Sequence, residues 1–111
     1  MIIYTINADN TLVKRMIENL ITNSVAHNEN GCNVTVSLKQ EPKGRAVLTV
    51  SDDGQGCDDT KLKALNAKLK SDYLPEHGLG IRVVKQVARK YRYKIRFCSE
   101  KDGYFRCEVY F

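Results

Sequence analysis

Residues 12–28 read Leu12-Val13-Lys14-Arg15-Met16-Ile17-Glu18-Asn19-Leu20-Ile21-Thr22-Asn23-Ser24-Val25-Ala26-His27-Asn28. Leu12, Met16, Ile17, Leu20, Ile21 and Ser24 recur at steps of three and four, which puts them on one helical face and predicts a long helix running to about His27. Asn28, Asn30 and Gly31 stop it. Asn19 and Asn23 stand four residues apart beside this stripe, with His27 one further turn along, so all three project from the same side. Such asparagines commonly bond to neighbouring loops or to solvent. The functional alternative uses the side-chain carbonyl oxygen, a neutral hard ligand suited to a Mg ion that takes much of its coordination from phosphates and water.

On either side of this helix the chain breaks into short elements. Residues 2–6 (IIYTI) predict a strand, closed by the turn-forming Asn7-Ala8-Asp9-Asn10. Residues 33–39 and 45–51 alternate in polarity around Glu41-Pro42-Lys43-Gly44, which predicts an antiparallel hairpin. Residues 58–70 place Leu62, Leu65 and Leu69 on one helical face, 71–77 with Pro75 predict a mobile irregular loop, and 79–91 predict a third amphipathic helix. Residues 93–99 and 104–111, joined through Lys101-Asp102-Gly103, predict a final hairpin. The expected fold is α+β: a two-layer α/β sandwich, a mixed sheet of about five strands with three helices on one face. At 111 residues the chain is read as one domain, 1–111, with one core and so one dominant site.

With 42% hydrophobic and 28% charged residues, the composition is that of a soluble globular protein and excludes intrinsic disorder. The net charge of +5 gathers at Lys61, Lys63, Lys68 and Lys70, and again from Arg82 through Lys85, Arg89, Lys90, Arg92 and Lys94 to Arg96. These runs read mainly as solvated helix and strand faces, with some help in attracting an acidic ligand such as a nucleotide. They lack the interleaved aromatics that single-stranded nucleic acid needs, so no nucleic-acid partner is expected. Cys32, Cys57, Cys98 and Cys107 contain no C-x-x-C pair, which supports neither a zinc site nor a redox motif, and they read as reduced, mostly buried small hydrophobes. The opening MIIYTIN is too short for a signal peptide and no run approaches a membrane helix, so the expectation is a cytoplasmic domain without direct membrane contact. It starts almost directly in a strand and is expected to be cut from something longer, whose other segments would supply any membrane anchor.

Two glycine motifs complete the constellation. In Val50-Ser51-Asp52-Asp53-Gly54-Gln55-Gly56 a strand ends in a D-x-G-x-G pattern, whose glycines permit a sharp turn and close approach of backbone to a flat ligand. A carboxylate at the strand end can accept a hydrogen bond from the amino group of adenine, and would reject guanine, which presents an acceptor there. Taken alone, this pattern is more often a plain turn. Glu76-His77-Gly78-Leu79-Gly80-Ile81 runs straight into a helix, where Gly78 and Gly80 can leave backbone N–H groups free for phosphate. It is neither a G-x-x-x-x-G-K-[ST] loop nor a dinucleotide G-x-G-x-x-G fingerprint.

Together and in this order, the three motifs resemble those of the ATP-binding catalytic domain shared by histidine kinases, type II topoisomerases, Hsp90-type chaperones and mismatch-repair ATPases. Residues 18–28 (ENLITNSVAHN) are similar to the asparagine box, 52–56 to the D-x-G-x-G box and 78–81 to the G-L-G-L box, and the resemblance spans essentially the whole chain. It implies ATP and Mg as cofactors: Asn23 on Mg, Asp52 on the adenine amino group, Gly54 and Gly56 shaping the adenine pocket, and Gly78, Leu79 and Gly80 at the phosphates. It also implies a division of labour. Hydrolytic members carry a glutamate four residues before the Mg-binding asparagine to activate water, whereas here that place is Asn19, an amide that cannot take the proton. Glu18 lies about 100° around the helix and does not substitute. The implied role is therefore that of a histidine kinase, donating its γ-phosphoryl group to a histidine on a separate dimerisation domain, with a response regulator downstream.

Departures from the family pattern qualify this. Ala26 stands where a basic residue usually follows the asparagine box, leaving one phosphate contact missing, with His27 a weaker replacement at the neighbouring aromatic-or-His place. Glu76 replaces the first glycine of a longer G-x-G-x-G, and no phenylalanine occurs between Cys57 and His77, a short-lid pattern similar to the compact branch of quorum-sensing and cell-wall-sensor kinases. Two alternatives stay open: an anti-sigma-factor serine kinase, which Thr22-Asn23 resembles, and a catalytically silent nucleotide-binding or interaction module.

Overall fold

The computed structural model describes residues 10–42, 44–67 and 79–111. The strand expected at 2–6, the loop at 71–77 with Glu76 and His77, and Gly78 lie outside the described residues. Within them the elements run α1 (Asn10–Ala26), β1 (Val34–Gln40), β2 (Ala46–Asp52), α2 (Asp59–Asn66), α3 (Leu79–Tyr91), β3 (Lys94–Glu100) and β4 (Tyr104–Tyr110). The architecture is the expected α+β sandwich, three helices against a sheet of four described strands in the order β1-β2-β4-β3. Every pairing among the described strands is antiparallel, two hairpins meeting through β2 and β4; the fifth strand of the expected mixed sheet is the one at 2–6, outside the described residues.

The register explains how the site is set up. Val50 aligns with Cys107 and Phe97, and Leu48 with Val109 and Ile95, so these rows face the helices together. Against them pack Met16 and Leu20 of α1, Leu65 of α2, and Ile81, Val84 and Val87 of α3, closing one apolar core. Side chains alternate along a strand, so two residues beyond Val50 the same inward face carries Asp52, aligned with Phe105. Asp52 therefore continues a hydrophobic row and is 5% exposed. A carboxylate in that position needs a polar partner or a ligand.

Two expectations are corrected. The helix expected at 58–70 ends at Asn66, where Ala67 turns extended (ψ 145°) and closes the last turn by bonding to the Ala64 carbonyl; Leu69 lies outside the described residues. Of the four cysteines, all free, only Cys107 is buried, its thiol pushed well above the usual range by desolvation; Cys32, Cys57 and Cys98 are half-buried.

Candidate functional site

Asp52 opens into a cavity of about 180 Å³ between α1, the loop after β2, α2 and the start of α3. Its lining includes Asn23 and His27 from α1 and its end, Asp52 and Gly56 from the D-x-G-x-G segment, and Ile81 from α3. The sequence-predicted residues Asn23, His27, Asp52 and Gly56 thus come together. Asn19 does not join them: its amide donates to the Arg15 carbonyl at 2.9 Å on its own helix, and it is absent from the lining. Leu79 and Gly80 are the first residues of α3, the helix whose Ile81 lines the cavity.

The loop after β2 is wedged between two supports. On one side Asn28 accepts from the Gln55 N–H at 2.9 Å and donates to the Ser24 carbonyl at 2.7 Å, while Gln55 donates through its side chain to the His27 carbonyl. On the other side Asp102 N–H donates to the Gln55 carbonyl at 2.7 Å, and Ser99 Oγ accepts from Cys57 N–H at 2.9 Å. The glycines follow from this crowding. A Cβ at Gly54 would collide with the Asn28 amide, and one at Gly56, whose φ is +64°, would strike the Glu100 carbonyl and lie 2.8 Å from Ser99 Oγ and the Tyr104 carbonyl. Gly54 thus makes room for Asn28 and is itself absent from the lining.

Asp52 uses one carboxylate oxygen to accept from Gly54 N–H at 3.0 Å, which fixes the carboxylate at the cavity wall. The neighbouring Asp53 points away, held by the Asn33 backbone and side chain at 2.7 and 2.8 Å; these hydrogen bonds keep its carboxyl below the usual range. The two adjacent aspartates therefore divide, Asp53 tying the loop to the residue before β1 and Asp52 facing the cavity. His27 is held below the ordinary histidine range by desolvation and then by the charge of Lys61, against an opposing pull from Asp52.

Several lining residues escaped the sequence reading: Ser24, Asn28, Gln55, Cys57, Lys61 and Leu65. Asn28 was legible as a helix stop and as the last residue of the asparagine-box segment, and Lys61 only as part of a basic run. Among the described residues no three His, Cys, Asp or Glu side chains cluster as a metal site. The donor set instead fits Mg carried by a ligand: one amide oxygen from Asn23, beside a cavity with a fixed, buried hydrogen-bond acceptor. No helix among the described residues is long and apolar enough to cross a membrane.

Comparison with known proteins gives concordant results. The pattern of the histidine kinase-, DNA gyrase B-, and HSP90-like ATPases matches residues 8–111. Sensor protein BasS of Escherichia coli is 32% identical over 88 residues, covering 77% of this chain and 23% of that protein. The adaptive-response sensory kinase SasA of Rippkaea orientalis is 28% identical over 102 residues, covering 88% and 26%. The chain thus spans about a quarter of the length of these relatives. Among solved structures, the mycobacterial sensor histidine kinase MprB shares the fold with a TM-score of 0.72 at 23% identity over 93% of this chain and 71% of that one. The histidine kinase domain of the Escherichia coli osmosensor EnvZ superposes with a TM-score of 0.69 at 23% identity, covering 95% and 66%.

Proposed function

Because the chain belongs to the histidine kinase-, DNA gyrase B- and HSP90-like ATPase family, we propose that it binds Mg-ATP and donates the γ-phosphoryl group to a histidine on a dimerisation domain of a longer sensor kinase. The observation that carries this reading is Asp52, a carboxylate 5% exposed at the end of an otherwise apolar row, held at the wall of a cavity it shares with Asn23. Asp52 accepts a hydrogen bond from the adenine amino group. The cavity, at about 180 Å³, is smaller than the roughly 300–1,000 Å³ of sites that enclose a whole drug-sized ligand, and suits the base with the phosphates reaching outward. Gly56 shapes the turn beside the base, and Gly54 does so indirectly through Asn28.

Asn23 supplies one oxygen to Mg, which when bound neutralises charge on the triphosphate. The first turn of α3 at Leu79 and Gly80, with Gly78 before it, offers backbone N–H donors to the phosphates. The acceptor imidazole forms the new N–P bond as the bond from the γ-phosphorus to the bridging oxygen breaks and ADP leaves. Catalysis then rests on positioning and electrostatics. α1 offers water no carboxylate base at the cavity, Asn19 being an amide turned to the Arg15 carbonyl, which favours transfer over hydrolysis. A response regulator would take the phosphoryl group next, and any membrane anchoring would come from elsewhere in the longer protein.

The test is incubation with γ-labelled Mg-ATP and a purified dimerisation domain carrying an acceptor histidine. Acid-labile label on that domain is the expected result. Acid-stable label on a serine of a small antagonist protein would instead establish the serine-kinase alternative, and a melting temperature unmoved by Mg-ATP would identify a silent module.

A further inference from the structure

The α2 wall of the cavity is built differently from the rest. The helix has eight residues and buries only Leu65, too little to hold so short a helix by itself. Polar bonds fix it at both ends. Asp58 caps the N-terminus, its carboxylate accepting from Lys61 N–H at 2.8 Å. At the other end Asn66 pairs with β3 as a strand would, donating to the Phe97 carbonyl at 2.9 Å and accepting from Phe97 N–H at 2.8 Å. Lys85, a buried lysine of α3, donates to the carbonyls of Ala64 and Ala67 at 3.5 and 3.3 Å, meeting the negative end of the α2 dipole.

A helix clamped this way presents Lys61 from a set position. Lys61 is the one lysine or arginine among the described residues lining the cavity, and it forms no ion pair with a described residue. Among the described residues no other lysine or arginine stands at this wall, and the last turn of α1 carries no basic residue. Phosphates reaching outward from a base at Asp52 keep net negative charge even with one Mg bound, and a cation at this wall would offset it.

We propose that Lys61 is the phosphate-binding cation of this site, its ammonium meeting the triphosphate of the nucleotide whose base lies at Asp52. The assignment rests on the ATP reading above and adds to it the source of the charge. Because Lys61 is exposed on a helix surface, its replacement leaves the fold intact, which circular dichroism verifies.

The experiment compares wild type, Lys61→Met and Lys61→Arg in calorimetric titrations with Mg-ATP and with adenosine. Lys61→Met is expected to weaken Mg-ATP roughly tenfold or more while adenosine binding stays within about twofold, and Lys61→Arg to retain most of the ATP affinity. Unchanged ATP affinity in Lys61→Met, or an equal loss for adenosine, would overturn the assignment while leaving the ATP reading in place. A folded wild type that binds neither ligand would overturn both.

Discussion

Two helices wall the same cavity by opposite means. α1 spans 17 residues and presents Met16 and Leu20, 0% and 2% exposed, to the core, with Ile17 and Ile21 packed beside them. α2 spans eight residues, buries one leucine, and depends on a capping aspartate, a two-bond asparagine clamp and a lysine at its end. Apolar packing spreads its stabilisation over many weak contacts. A polar clamp concentrates it in a few groups that are costly to leave unpaired. The long helix is thus a scaffold secured by area, and the short one a wall secured by geometry.

The largest effect expected from this contrast is that of Met16→Ala. It empties a fully buried position in the core cluster and should cost about 2–5 kcal/mol in denaturant unfolding. Met16 is absent from the cavity lining, so the folded fraction should still bind Mg-ATP with unchanged affinity. Asn66→Ala should cost less, about 1–3 kcal/mol, because it strips two hydrogen bonds from the Phe97 backbone without opening the core. It should nevertheless weaken Mg-ATP binding, since α2 carries both Leu65 and Lys61 into the lining. A Met16→Ala protein that loses ATP affinity, or an Asn66→Ala protein that keeps it, would break the contrast.

The same contrast explains what could be read in advance. α1, α3 and both hairpins repeat their apolar residues with a helical or strand period, and each expected span falls within one or two residues of the one observed. α2 did not stop where expected, because Ala67 to Lys70 have good helical propensity and the bonds that end the helix come from residues distant in sequence. Asp52, Asn23, His27 and Gly56 were legible because their motifs combine spacing with residue type. Lys61 was not, since a lysine on a solvated helix face and one lining a cavity have the same local sequence. Asn19 was placed at the site by its spacing, but its amide finds a nearer acceptor in the Arg15 carbonyl. Cys98 read as a buried hydrophobe, yet its strand position pairs it with Arg106, and its thiol donates to Glu108 on the sheet face away from the core.

Recognition of the base rests on Asp52. The most direct test is calorimetric titration of wild type and Asp52→Asn with Mg-ATP and Mg-GTP. Wild type should prefer ATP, and Asp52→Asn should weaken ATP roughly tenfold or more, a loss of at least about 1.4 kcal/mol, with little further effect on GTP. Equal affinity of the two proteins for ATP would contradict it.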